Sequence, residues 1–299
     1  MSEKYISEDY NIIKKIGSGS FGDVYLADSK SLNKQIAIKV EEKRKNSRIL
    51  EEYKIYRRLF RRGMSFGIPQ IYDIIETPKF NILVMELLGF SLDHVFSSFE
   101  KQFDIATVLK LGIDITHLLE SVHNCGYLHR DIKPNNFLIG HDDKNKLFIM
   151  DFGLSKRYTD SSNNHINLKI DRSMVGTARY ASINIHMGLE PSRRDDLESV
   201  AYMLIYFLKG ALPWQGIKKQ ADQDQLQLIG DTKLCTNMKK FCDDLPNCFF
   251  KFLEYTRSLK YDEIPNYDLI RNLFIDYAKT SQIEPKYMWI DKDIKDTLF

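Results

Sequence analysis

The chain changes texture once, near residues 86–90, and that change limits the folds open to it. Before it come five short stretches rich in Ile, Val, Tyr and Phe: 10–18, 22–28, 35–40, 71–76 and 80–85, with Ser31-Leu32-Asn33 and Thr77-Pro78-Lys79 at two of the breaks. One helical pattern interrupts these strands. Ile49, Tyr53, Tyr56 and Phe60 recur at helical spacing, after the cap candidates Asn46 and Ser47 and before a stop at Gly63, so this stripe is expected to face the sheet. After Leu88-Gly89 the periodicity is helical. Residues 104–124 form a long amphipathic pattern with Asp104 as N-cap and Ile105, Val108, Leu109, Leu118 and Val122 on one face, and 195–209 and 266–279 are further helices, the last entered through Pro265. No repeat, low-complexity tract or linker intervenes, so the implied class is α+β, a strand-rich lobe at 10–88 followed by a mostly helical lobe at 89–299.

Composition removes several alternatives. With 43 Lys plus Arg against 41 Asp plus Glu among 299 residues, the net charge of +2 argues against a nucleic-acid partner. Basic residues gather at Lys43-Arg44-Lys45, Arg57-Arg58 and Arg61-Arg62, read as solvated helix-side charge. The longest apolar run, Val200 to Leu208, is nine residues, well short of the roughly 20 that span a bilayer. No apolar signal core follows Met1, and the four cysteines fit no zinc spacing, so reduced thiols in a cytoplasmic protein are expected.

Chemistry concentrates in two places. Residues 129–136 read His-Arg-Asp-Ile-Lys-Pro-Asn-Asn, and fifteen positions later comes Asp151-Phe152-Gly153. Moving a phosphoryl group from ATP to a hydroxyl needs a base for the hydroxyl, oxygen ligands for Mg²⁺ and cations for the transferring oxygens. Asp131 is the candidate base, Lys133 the cation over the γ-phosphate, and Asn136 and Asp151 the metal ligands. The second place is Ile16-Gly17-Ser18-Gly19-Ser20-Phe21-Gly22-Asp23-Val24, a glycine run between two strands. Its bare backbone N–H groups suit triphosphate oxygens; a dinucleotide site would need a helix to follow, and here a strand does.

In Gln35-Ile36-Ala37-Ile38-Lys39-Val40 the two-residue period puts Ala37 and Lys39 on one face and Ile36, Ile38 and Val40 on the other, buried one. Val24 and Ala37 would roof an adenine, Leu138 would floor it, and Lys39 would reach the phosphates. A lysine reaching into a cleft needs an anion, and helical phase favours Glu52 over Glu51.

These motifs resemble the eukaryotic protein kinases along nearly the whole chain. The fold implied is the two-lobed protein kinase fold with an ATP cleft between the lobes. Lys133, two residues past Asp131, is the serine/threonine pattern. Finer features are similar to the casein kinase 1 family: Gly176-Thr177-Ala178-Arg179-Tyr180-Ala181-Ser182-Ile183-Asn184 where most protein kinases have an Ala-Pro-Glu segment, Ser192-Arg193-Arg194-Asp195-Asp196-Leu197-Glu198-Ser199, Leu212-Pro213-Trp214-Gln215-Gly216 and Met85-Glu86-Leu87-Leu88-Gly89. The resemblance implies a gatekeeper at Met85, adenine contacts from the backbone at Glu86 and Leu88, and an anchoring role for Asp196. Without the glutamate of Ala-Pro-Glu, Asn184 and its neighbours must brace the substrate loop by other bonds. The resemblance also implies protein substrates with acidic or phosphorylated residues upstream of the target Ser or Thr. Arg130, Lys156, Lys169, Arg172 and Arg179 are the cations available to hold them.

The chain departs from that family in three ways. Ala221-Asp222-Gln223-Asp224-Gln225 stands where a Lys/Arg-rich stretch is usual, implying a weaker preference for phosphate-primed substrates and the loss of a basic run that could serve nuclear import, so the expected location is the cytoplasm with the nucleus as a second option. His94 replaces an acidic residue near the ribose. The chain ends at Phe299 without a long tail, implying constitutive activity in a monomer. Two other functions fit these residues less well. A pseudokinase scaffold would have lost the equivalent of Lys39, Asp131 or Asp151, and a small-molecule phosphotransferase tends to carry His-Gly-Asp instead of His-Arg-Asp.

Overall fold

The computed structural model describes residues 5–19, 22–43, 47–217, 224–290, 292 and 294. In chain order the elements are β1 (Tyr5–Ser7), β2 (Tyr10–Gly19), β3 (Gly22–Ser29), β4 (Lys34–Glu42), α1 (Arg48–Arg61), β5 (Ile71–Glu76), β6 (Phe80–Glu86), β7 (Leu88–Ser91), α2 (Leu92–Ser98) and α3 (Ile105–Asn124). Then follow β8 (Tyr127–Leu128), β9 (Phe137–Gly140), β10 (Leu147–Ile149), β11 (Lys156–Arg157), α4 (Ile183–His186), α5 (Arg193–Lys209), α6 (Gln225–Cys235), α7 (Met238–Phe241), α8 (Asn247–Ser258) and α9 (Tyr267–Thr280). The chain divides into two compact units, one of residues 1–90 with 138–153 and one of residues 91–137 with 154–299. Residues 138–153 thus cluster with the strand-rich unit although they lie far along the chain.

The first unit is built on a six-stranded sheet of order β1-β2-β3-β4-β6-β5, each neighbouring pair antiparallel. Alternation sorts its side chains. Ile36, Ile38 and Val40 of β4 join Tyr10, Ala27, Ile82 and Val84 in one buried cluster, with Tyr25, Tyr72, Ile75 and Phe80 packed at its edge. Ala37 and Lys39 project from the opposite face, where Val24 stands across from Lys39 and Met85 across from Ala37.

Helix α1 is tied to the end of β4. Ser47 caps it by accepting the Leu50 N–H (3.3 Å), and Glu41 accepts the Ser47 hydroxyl (2.5 Å) and the N–H groups of Arg48 (3.1 Å) and Ile49 (3.3 Å). A carboxylate at a helix N-terminus satisfies orphan donors and meets the positive end of the macrodipole. The buried face of α1 differs from the expected stripe. Ile49, Glu52, Ile55, Tyr56 and Leu59 are buried, whereas Tyr53 and Phe60 are only half-buried. Aliphatic Ile55 and Leu59 take the interior, and Tyr53 lies at the boundary with Arg57 over its ring (5.6 Å). Arg57, Arg61 and Arg62 are exposed, a solvated face; Arg44 and Lys45 lie outside the described residues.

The second unit is helical. Asp104 caps α3 by accepting the Thr107 N–H (2.8 Å). Its central helix α5 is buried on nearly every side from Arg193 to Phe207. It starts two residues before the expected Asp195, because Asp195 folds back to accept the Ser192 N–H (2.7 Å) and opens the helix there. The flanking arginines fit at that helix start because their guanidiniums donate to backbone carbonyls, Arg193 to Asp262 (2.7 Å) and Arg194 to Leu259 (2.9 Å). Asp224, within the acidic stretch that departs from the family pattern, caps α6 by accepting the Leu226 N–H (3.0 Å); Ala221, Asp222 and Gln223 lie outside the described residues. No described helix is long and apolar enough to cross a membrane.

Candidate active site

Two groups of candidate residues come together, one within each unit. In the first, Lys39 Nζ lies 2.6 Å from Glu52 Oε2 and 3.4 Å from Asp151 Oδ1. Of the two candidate glutamates it is Glu52 that reaches the lysine; Glu51 pairs with Lys54 at the surface. Lys39 and Glu41 sit two residues apart on β4, so one strand face holds α1 twice, at its N-terminus and at Glu52. Burial opposes the Lys39 charge, but Glu52 and Asp151 more than offset it and its pKa lies above the usual lysine range. Asp151 adopts a left-handed backbone (φ 63°) behind which Phe152 is fully buried, edge-on to Tyr56 of α1 (5.1 Å between centroids). The same helix therefore supports both partners of Lys39.

The β2–β3 hairpin carries the glycine run, with Gly17 opposite Val24, Ser18 opposite Asp23 and Gly19 opposite Gly22. Of Gly17 and Gly22, the second is obligatory on steric grounds. Gly22 has φ 128°, and a Cβ there would stand 2.1 Å from the Val40 carbonyl oxygen; a Cβ on Gly17 would meet Val24 at an ordinary 3.6 Å. Asp23 braces the hairpin, taking the Ser18 hydroxyl (2.8 Å) and the Lys15 ammonium (2.8 Å). Ser20 and Phe21, also candidates, lie outside the described residues; Ile16 is half-buried on β2. Met85 and Leu88 are buried and Leu138 is half-buried on β9, which pairs with β7. Glu86 is committed in part: its N–H donates to Gln70 O (2.8 Å) and its carboxylate accepts the Gln70 N–H (3.0 Å). That N–H is therefore taken, and an adenine contact from Glu86 would have to use its carbonyl.

In the second unit Asp131 is almost fully buried, and three donors hold its carboxylate. Lys133 Nζ (2.6 Å) and Asn136 Nδ2 (3.2 Å) bind Oδ2, and the Thr177 hydroxyl (2.8 Å) binds Oδ1. Asn136 Nδ2 also donates to the Asp131 carbonyl (2.7 Å), which leaves its amide oxygen as the end free of these bonds. Beneath this loop Asp196 accepts the N–H groups of His129 (2.8 Å) and Arg130 (2.8 Å) and a His123 ring nitrogen (2.9 Å). Arg130 is left-handed (φ 67°), and its carbonyl oxygen would lie 2.3 Å from a Cβ on Gly176, itself at φ 90°. Asp196 and Gly176 therefore hold the loop from two sides.

The segment without Ala-Pro-Glu is braced by α5. Ser182 Oγ (2.6 Å) and Asn184 Nδ2 (3.0 Å) donate to Asp195 Oδ1, while Glu198 accepts the Ile183 N–H (3.1 Å) and pairs with Arg257 (3.5 Å). Burial pushes the Asp195 carboxyl up to about 6 against the pull of those donors.

Arg130, Lys156 and Arg172 converge on Glu190, a buried carboxylate to which Lys156 Nζ (2.6 Å) and Arg172 Nε (3.2 Å) bind. The Arg130 guanidinium donates to Leu154 O (2.7 Å), and its pKa is lowered by burial and by Arg172 although Asp196 and Glu190 oppose this. Lys169 is exposed and offers its carbonyl to the Glu190 N–H (2.8 Å), and Arg179 lies over the rings of Tyr180 (5.8 Å) and Tyr206 (5.7 Å). Sequence reasoning missed Glu190 and the bond from Thr177 to Asp131. Glu190 sits in no motif, and Thr177, although within the 176–184 signature, carries no letter-level sign of its bond to Asp131. His94 occupies the first turn of α2, its N–H bonded to Ser91 Oγ (3.3 Å).

The protein kinase domain family matches residues 10–263. The chain belongs to the protein kinases. Its fold is accordingly theirs, a strand-rich N-terminal sheet followed by a helical C-terminal region, and its activity is phosphoryl transfer to protein substrates. Protein kinases in general use ATP with Mg²⁺, and the donor sets fit both. Asp151 in one unit and the Asn136 amide in the other each carry an oxygen of the kind a hard cation takes. Lys39, held charged in a buried pair, is a cation that phosphate oxygens would meet with little reorganisation. Bound Mg²⁺ would neutralise charge on the transferring phosphates.

Proposed function

We propose that this kinase is a serine/threonine protein kinase of the casein kinase 1 type, active on hydroxyls that follow acidic or phosphorylated residues. The observation that carries the reading is Lys133, two positions past Asp131, bonded to the Asp131 carboxylate whose other oxygen takes Thr177. In this role Asp131 accepts the proton of the incoming hydroxyl, Lys133 meets the transferring phosphoryl oxygens, and Asn136 and Asp151 serve the metal. The family-type reading is supported by the way its sequence signatures interlock: Ser182 and Asn184 of one bind Asp195 of the next, and Trp214 Nε1 of a third donates to Arg179 O (2.7 Å). The substrate preference is supported by the cations around Glu190, and moderated by it, since that carboxylate already occupies two of them.

Incubation with radiolabelled ATP, Mg²⁺ and casein, beside Asp131→Asn, tests this. Label on serine and threonine is expected, with turnover reduced by roughly 10²–10⁴ in the variant. Label on tyrosine, or full activity in Asp131→Asn, would overturn the reading.

A further inference from the structure

The segment carrying Thr177 is gripped by a lysine that no motif predicts. Lys233 of α6 has no exposed surface; its Nζ donates to Ala178 O (2.8 Å) and Ala181 O (2.5 Å) and lies 3.3 Å from His186 Nε2. The rings of Tyr202 and Trp214 flank it, with centroids 5.0 and 5.1 Å away. No carboxylate among the described residues lies within ion-pair distance of it. Burying an ammonium without a counter-charge is costly, and its main compensation here is two backbone carbonyls of one short segment. Trp214 holds a third carbonyl there, that of Arg179. The approach of α6 depends on Gly230, where a Cβ would stand 2.9 Å from the His186 Cβ.

We propose that Lys233 is a positioning residue for the protein substrate: by binding the carbonyls of Ala178 and Ala181 it sets the shape of residues 176–182, and through Thr177 the aim of Asp131, without touching nucleotide handling. This rests on the reading of Asp131 as the base for the hydroxyl. The groups facing the ammonium are His186 of α4, Glu198 and Tyr202 of α5, and Arg257 of α8. Burial depresses Lys233 to about 7, with Glu198 favouring its charge and Arg257 opposing it. Burial and then Lys233 itself depress His186 to about 4, so that ring is neutral. The ammonium form makes the stronger, charge-assisted bonds to the two carbonyls. Above neutrality the grip weakens and the peptide KM rises.

Steady-state kinetics of wild type, Lys233→Met and Gly230→Ala, with an acidic serine peptide and ATP varied separately from about pH 6 to about pH 9, test this. Both variants should raise the peptide KM by about fivefold or more while the ATP KM stays within about twofold, and Lys233→Met should lose the rise of peptide KM with pH. If Lys233→Met does not fold, Gly230→Ala decides by the same split, because it displaces α6 and leaves the ammonium intact. Peptide and ATP KM moving together, or neither moving in a folded variant, overturns the proposal. A wild-type chain that labels no protein overturns the parent reading and this one with it; an active wild type with unmoved variants overturns this one alone.

Discussion

Replacing Asp196 by Asn tests how much of the catalytic loop rests on one carboxylate. Its two oxygens serve three donors, the N–H groups of His129 and Arg130 and the His123 ring. An amide has one oxygen. Turned towards His129 and His123, it sets an NH₂ against the Arg130 N–H; turned the other way, it leaves two donors unmet. One lost charge-assisted bond and one buried unsatisfied N–H come to about 3–5 kcal/mol, less a part recovered because a neutral side chain is cheaper to bury, so about 3 kcal/mol is expected. For a unit of this size that is a fall of about 6–12 °C in Tm. Urea unfolding and calorimetry at neutral pH measure it. Burial pushes the Asp196 carboxyl up, but the His123 ring and the backbone donors prevail and hold it below the usual 3.8. A depressed folded pKa means stability present above 3.8 and lost as pH falls through the folded value, so the gap between wild type and variant should be flat from about pH 5 to 8 and close in stronger acid. Arg130 would also be released from its left-handed backbone, and kcat should drop at least tenfold, by about 1.4 kcal/mol of barrier. A loss below about 1 kcal/mol, the worth of an ordinary neutral bond, would refute the reasoning.

Gly176→Ala should lower kcat by about a hundredfold with nucleotide affinity unchanged, since a Cβ 2.3 Å from the Arg130 carbonyl must displace the loop; kinetics beside calorimetric titration of an ATP analogue would show it. Because Lys233 falls to about 7 in the folded chain from an ordinary 10.5, the unfolded chain binds the extra proton between those values, and wild-type stability should rise with pH across that window by up to about 1.4 kcal/mol per unit. Lys233→Met should flatten that slope in urea melts. Glu190→Gln removes the charge that occupies Lys156 and Arg172, and should raise the preference for phosphorylated over unphosphorylated peptides by about tenfold in competitive peptide assays.

Much of the fold was legible because its elements carry strong local signals. The strands at 71–76 and 80–85 and the helix from Asp104 have clear periods and caps, and the structure has them within a residue. Helices α6 and α8 were not read, since α6 is entered from a polar stretch and α8 from Pro246 without a side-chain cap. The clustering of candidate side chains was legible where chemistry dictates spacing, as at residues 129–136 and at Lys39. It was illegible where a side chain serves a distant backbone. Nothing in the letters around Lys233 or Glu198 announces that one binds the carbonyls of residues 178 and 181 and the other the amide of residue 183. The α1 stripe was misjudged for a related reason, because tyrosine and phenylalanine score as apolar while tolerating a boundary position.

Glu198 has a wider consequence. An anchoring acid placed inside the substrate loop would tie the folding of that loop to one of its own side chains. Here the acid is housed in the buried helix α5, and Arg257 finds it there whatever side chain residue 183 carries, since Glu198 binds only the backbone N–H of that residue. Position 183 is thereby uncoupled from the scaffold and can change side chain with little penalty to the helical unit, whereas Asn184 stays tied to it through Asp195.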